Sequence, residues 1–214
     1  MKLYFVRHGE SEANLQHVIS NRESTFGLTE RGMAQAATLA EKLRDVPMAA
    51  IYSSPVLRAR ETAEILSQSF HLPYQVTEAL REYDCGILEE KSDAESWRLH
   101  SEIAADWTLN HNYLRKPDGG ESYVEMKERF IPFVTGFAQN GWHSQDHILF
   151  VSHGGLVQLM LPEVLTNIDH TFVRSHGIGH TQSILAEHQP SGWVCLQWGD
   201  INLEGNRIRR EGDH

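Results

Sequence analysis

Four side chains in this sequence could do chemistry together. Arg7 and His8 stand side by side after the apolar run Leu3–Val6 and are followed by Gly9 and Glu10. Arg58 lies in "SSPVLRARETA" (53–63), and His153-Gly154-Gly155 follows "HILFVS" (147–152). Two arginines and two histidines gathered in one place make chemical sense around an anion. Planar guanidinium forks match phosphate oxygens in bidentate fashion. A histidine held among cations has its protonated form disfavoured, which keeps one imidazole nitrogen free as a nucleophile. Taken singly, each residue has a plain structural use, an ion pair or a satisfied core histidine. Their common placement just after apolar, strand-like runs sets them apart.

The elements that must position them follow an alternating pattern. Expected strands are 2–6, 49–53, 74–77, 147–152, 181–187 and 193–198, short runs bounded by turn residues, several of them apolar throughout. Thr29 should cap a helix to about Arg44, with Met33, Ala36, Ala37, Ala40 and Leu43 on its buried stripe. Ser54-Pro55 reads as an N-cap with proline at the first helical position, opening a helix to about Ser69. Ser92 to Glu95 and Ser122 to Glu125 have capping-box spacing, with a kink or break expected at Pro132. Gly154-Gly155 should open the last helix, with Pro162 near its end. Strands alternating with helices imply an α/β three-layer sandwich, a mostly parallel central sheet covered on both faces. In such sheets ligands bind beyond the carboxyl ends of the strands, where Arg7, His8, Arg58 and His153 fall. The helix starts near Arg58 and after Gly155 add dipole ends that favour an anion.

Composition narrows the function classes. With 19 Lys and Arg against 29 Asp and Glu the net charge is −10, which argues against nucleic acid and anionic membrane as partners. An anion site must then be a local arginine cluster working against the overall charge. A hydrophobic share of 40% is enough for a substantial core, and 214 residues suit a single domain. The chain shows neither a secretory pattern nor an apolar run of about 18 residues, and Cys85 and Cys195 have no metal-ligand spacing, so a reduced, cytoplasmic protein is expected. Among 13 histidines only His176 and His180 approach a metal-like spacing, in a glycine-containing stretch rather than a clear helix, so a structural zinc there is the lesser reading and no metal is expected.

Six segments in order resemble the histidine phosphatase superfamily, the phosphoglycerate-mutase-like branch: Arg7-His8-Gly9-Glu10 with Asn14, Leu28-Thr29-Glu30-Arg31-Gly32, "IYSSPVLRARETA" (51–63), "LREYDCGILEE" (80–90), "GGES" (119–122) and "VSHGG" (151–155). The resemblance implies a metal-independent phosphatase without cofactor, acting on a small phosphorylated metabolite. It implies that His8 takes the phosphoryl group as phosphohistidine, and that Arg7, Arg58 and His153 hold its oxygens. It also implies Asn14 as a further phosphate ligand and Glu82 as proton donor to the leaving alcohol; Glu89 is the next candidate in that acidic stretch. Where the family often has a glycine after the asparagine loop, this chain has Ser20 or Asn21, which makes Ser20 a candidate contact. The mutase branch usually carries a basic, proline-containing insertion after the acid segment; here "EEKSDAESWRLHSEIAADW" (89–107) is acidic and shorter. That departure favours hydrolysis over a phosphomutase reaction, although Arg81, Lys91, Arg98 and Arg115 are candidates for a second anionic group. A non-catalytic phospholigand-binding protein is the remaining alternative. Residues 86–118, with Trp97, Trp107 and Tyr113, are expected to form a helical flap over the site, and residues 170–180 to fold near it.

Overall fold

The computed structural model describes residues 1–22, 25–139 and 141–204. Positions 23–24 of the expected phosphate loop and the last ten residues of the expected 1–214 domain, 205–214, lie outside the described residues. Seven strands form one sheet: β1 (Lys2–Arg7), β2 (Met48–Ser53), β3 (Tyr74–Val76), β4 (His147–Ser152), β5 (Ser183–Gln189), β6 (Gly192–Trp198) and β7 (Ile201–Asn202), in the order β3-β2-β4-β1-β5-β6-β7. The first four run parallel, with Phe5 beside Phe150 and Tyr52 also beside Phe150, while β5, β6 and β7 add antiparallel. The strands with central positions, β1 and β4, are apolar over Leu3–Val6 and Ile148–Val151 because helices cover both of their faces.

One face carries α2 (Glu30–Lys42) and α3 (Leu57–Phe70), packed on Tyr4, Val6, Ile51, Leu149 and Val151. The short α1 (Glu12–Leu15) follows β1. The other face carries α4 (Ala94–Leu109), α5 (Tyr123–Gly136), α6 (Gly154–Val164) and α7 (His170–Ser175) over Leu3, Phe5, Ile148 and Phe150. Phe150 is fully buried at the centre of this layer, against the rings of Phe5, Tyr52, Phe133 and Phe137.

Several local expectations are corrected. The buried stripe of α2 is Gly32, Ala36, Leu39 and Ala40, whereas Met33 and Ala37 face solvent, because the helix sits on the sheet one position round from the expected register. Ser54-Pro55 does not open α3; Val56 occupies the N-cap, and Ser54 is used elsewhere, as described below. Asp93, not Ser92, caps α4 by accepting from the Ser96 N–H. The Ser122–Glu125 capping box is present, and α5 runs without a break through Pro132. The helix opened by Gly154 is followed by α7, and a seventh strand completes the sheet.

Candidate functional site

The carboxyl ends of β1 and β4, the start of α3 and the segment after β3 meet at one rim of the sheet. There a cleft of about 230 Å³ is lined by Arg7, His8, Asn14, Arg58, Glu82 and Ser20, among others. His8 is buried and its backbone N–H donates to the Ser152 carbonyl, which locks the end of β1 to the end of β4 (3.0 Å). Gly9 does not adopt a left-handed backbone conformation, so a turn that only glycine can make is not what it supplies. It supplies room: a Cβ on Gly9 would stand 2.5 Å from the Gly32 carbonyl oxygen, so this pair of glycines lets α2 sit directly against the His8 segment.

The hydrogen bonds fix the state of each ring. His8 Nδ1 is 2.7 Å from the Gly9 carbonyl, which can only accept, so Nδ1 carries the proton. Nε2 therefore keeps a lone pair, which accepts from Arg58 Nε at 2.9 Å. Burial first, and the Arg58 charge second, push the His8 imidazole well below the usual histidine range. His153 is likewise held neutral by burial and by Arg58. Its Nδ1 accepts from Arg58 Nη2 (3.2 Å), and its Nε2 donates to Ser54 Oγ (2.7 Å). His153 is completely buried and is not among the residues lining the cleft; it stands behind Arg58 and aims it, with Ser54 behind it in turn.

Arg58 is 4% exposed, and burial lowers its guanidinium to about 10, still a cation at neutral pH. Arg7 donates through Nη1 to the Ile178 carbonyl (2.8 Å) and through Nη2 to His180 Nε2 (3.0 Å). That His180 nitrogen also lies 3.1 Å from the Asn14 amide oxygen, which itself accepts from Ser11 N and Oγ. Burial, with the Arg7 charge, lowers His180 to about 4. Among the described residues, the buried side-chain polar atoms lacking a hydrogen-bond partner are Arg7 Nε, Ser20 Oγ and Arg58 Nη1, and all three residues line this cleft. Each orphaned group costs about 1–3 kcal/mol unless something binds it.

Glu82 lies across the cleft. Its Oε2 accepts from Gly155 N (2.9 Å) and its Oε1 from Tyr83 N (3.2 Å), contacts that favour the carboxylate, as does Arg58. Burial outweighs them and raises the Glu82 carboxyl above its usual range. Gly155 is wedged here, for a Cβ would come within 2.8 Å of both carboxylate oxygens and of Tyr83. The segment is braced from below by the Glu121–Arg129 pair (2.6 Å and 2.9 Å), whose arginine also donates to the Glu78 and Ala79 carbonyls. Glu89, the second acidic candidate, is not among the residues lining the cleft and instead accepts from Asn21 N and Cys85 N.

The expected sequence residues thus converge, with His153 one layer behind the rest. Arg81, Lys91, Arg98 and Arg115 are not among the residues lining the cleft; Arg81 pairs with Glu78, Arg98 with Glu102 and Arg115 with Asp106. Three participants were not expected there. Ser54 read as a helix cap, and Tyr83, whose hydroxyl meets His100 Nε2 at 2.6 Å, carried no signal beside Glu82. His180 was singled out by name only for its spacing from His176, although its segment was expected near the site; His176 turns away to stack on Phe172 and bond its carbonyl. Among the described residues no group of three or more His, Cys, Asp or Glu side chains is arranged so that it could hold a metal ion. Of the flap aromatics, Trp97 lines the cleft and ties to the His17 carbonyl (2.8 Å), Trp107 is core, and Tyr113 packs on Tyr123.

A sheet of this topology, with orphaned guanidinium donors around a neutral imidazole at its carboxyl rim, defines a phosphate-recognising α/β protein. The chain belongs to the histidine phosphatase superfamily (branch 1), whose sequence profile matches residues 3–201. It is 30% identical over 168 residues to the adenosylcobalamin/alpha-ribazole phosphatase of Salmonella typhimurium, covering 78% of this chain and 80% of that one. It is also 30% identical to the "Probable phosphoglycerate mutase GpmB" of Proteus mirabilis, over 94% of both chains. In fold it is similar to a mycobacterial glucosyl-3-phosphoglycerate phosphatase complexed with VO3 (TM-score 0.79, 24% identity, 92% and 98% covered). It is also similar to Bacillus stearothermophilus YhfR (TM-score 0.78, 28% identity, 94% and 98% covered). No helix among the described residues is long and apolar enough to cross a membrane.

Proposed function

We propose that this chain hydrolyses a small phosphomonoester through a phosphohistidine on His8. The observation that carries the reading is the proton placement: Nδ1 is committed to the Gly9 carbonyl, so Nε2 is the unprotonated nitrogen, its lone pair accepting from Arg58 Nε at the cleft until a phosphoryl group takes that place. In the first step the Nε2 lone pair attacks phosphorus, and the bond to the leaving oxygen breaks as Glu82 gives that oxygen its proton. In the second step water attacks, the Glu82 carboxylate takes its proton, and the P–N bond breaks with its electron pair returning to Nε2. Arg7 and Arg58 offer Nε and Nη1 to the phosphoryl oxygens, and Ser20 and Asn14 stand beside them. His153 acts by holding Arg58. Proton transfer by a positioned acid contributes about 10²–10⁴-fold, and the guanidinium charges supply most of the rest. The segment 86–118 covers the cleft through α4, whose Trp97 and His100 form part of its wall.

Relatives bear both phosphatase and mutase names. A phosphoglycerate mutase must hold its substrate's carboxylate as well as its phosphate. The four cations that could have done so are absent from the cleft lining, and this favours release of the phosphoryl group to water. A reducing cytoplasm suits the two buried, unpaired thiols Cys85 and Cys195. The test is His8→Ala against an aryl phosphate: phosphate release should fall to background while the fold is retained. Incubation of the unaltered protein with a radiolabelled phosphate ester should trap an acid-labile, base-stable adduct; undiminished turnover by the variant sinks the mechanism.

A further inference from the structure

A second cavity, about 320 Å³, opens from the catalytic cleft between α4, α6 and α7. The two share Tyr83, Gly155 and Gln158 as common walls. Tyr83 and Gly155 are the residues whose backbone N–H groups hold the Glu82 carboxylate, so the groove begins on the proton donor's side of the phosphate. A leaving oxygen protonated by Glu82 must carry its substituent past these two residues. Beyond them the walls are Ala104, Ala105, Leu109, Leu159 and Val173, with Thr108 among them. Leu109 is 55% exposed, a large apolar side chain left facing the groove region and solvent. Of the charged or titratable groups here, His170 is engaged with the Tyr123 hydroxyl and Glu163, and Arg174 bonds Thr171 at the solvent end.

We infer that this groove is the leaving-group subsite and that the preferred substrates are monoesters of uncharged alcohols with an apolar body. The inference rests on the phosphatase reading above. Phosphate affinity is met by Arg7 and Arg58, and the groove adds contact that grows with buried apolar area. A leaving group carrying a carboxylate would have to desolvate it against alanine, leucine and valine, with Arg174 alone to meet it.

The experiment uses ethyl, butyl and hexyl phosphate, whose leaving alcohols have similar acidity, together with 3-phosphoglycerate. The protein, Thr108→Trp and Leu109→Asp are compared by kcat/KM. In the unaltered protein kcat/KM should rise about three- to fourfold per methylene as the chain enters the groove. Both variants should flatten that dependence, Thr108→Trp by filling the groove and Leu109→Asp by charging it. Leu109 is exposed enough that its substitution leaves folding intact. Phosphate release from every ester with no dependence on chain length would overturn the subsite and leave the phosphatase reading standing. A dependence that survives both substitutions would also overturn it, as would 3-phosphoglycerate outpacing hexyl phosphate. Release from none of the esters would instead strike at the phosphatase reading itself.

Discussion

His8 and Glu82 occupy one cleft with their proton affinities driven in opposite directions by the same burial. A buried imidazole resists taking a proton, so His8 stays nucleophilic well into the acid range. A buried carboxyl resists losing one, so Glu82 remains a donor above the pH at which an ordinary glutamate has ionised. The kcat/KM profile should therefore stay flat on the acid side to well below pH 6.5, the ordinary histidine value, and fall on the alkaline side as Glu82 ionises. Glu82→Gln should lower kcat by about 10²–10⁴-fold with alcohol leaving groups and remove the alkaline limb. An ester with a good leaving group should be much less affected, since it needs no proton. A profile that loses activity with a midpoint near 6.5 on the acid side would contradict the burial of His8. Ser54→Ala tests the relay behind Arg58: with the His153 Nε2 proton unaccepted, the substitution should raise KM for phosphate esters more than it lowers kcat.

At the scale of elements, the rule that sites lie after parallel strands identified Arg7, His8, Arg58 and His153 from sequence, and those residues do meet. The same rule has no place for His180, because it precedes β5, a strand running antiparallel to β1. An antiparallel strand begins at the rim where its parallel neighbour ends. Thr181 N accordingly donates to the Arg7 carbonyl (2.9 Å), and His180 is delivered to the site from the opposite chain direction. Strand direction is a pairing property between residues about 180 apart in sequence, and no local pattern displays it. Ser54 was hidden for another reason: serine before proline is an ordinary helix start, its hydroxyl does accept from Val56 N (3.2 Å), and its second contact, with His153, is long-range. The acid segment depended on resemblance, since Glu82 sits among similar carboxylates; what distinguishes it is the Glu121–Arg129 brace holding residues 78–84. Arg129→Ala should cost about 1.5–3 kcal/mol of stability in urea unfolding and lower kcat by loosening the segment that carries Glu82. Phe150→Ala, deep in the layer under α5 and remote from the phosphate, should cost about 3–5 kcal/mol.

For the molecule as a whole, the site is stored electrostatic cost. The buried Arg58, the half-buried Arg7 and the buried imidazoles of His8 and His153 share one rim, and an anion relieves them together. Inorganic phosphate at about a hundred times its dissociation constant should add about 2.7 kcal/mol to unfolding stability, read as a rise in Tm that Arg58→Ala abolishes. The histidines act in the other direction as acid is added. Groups such as His180, lowered to about 4 in the fold from an ordinary 6.5, bind protons more readily in the unfolded chain. Stability should therefore be fully present above about pH 6.5 and decline as pH falls from there toward 4. Thermal unfolding followed across that window checks the sign.

The pairing of β1 also bears on how the protein is made. Its two neighbours are β4 and β5, with Lys2 beside His147 and Val6 beside Ser183. During synthesis β1 therefore has no partner until the residues up to β4 have followed it, and its second edge stays open until β5 is made. Leu3, Tyr4, Phe5 and Val6 spend that interval as an unpaired apolar segment, the kind of stretch that holding chaperones bind and that associates with other nascent chains. The strand that presents the nucleophile is thus translated long before it is enclosed.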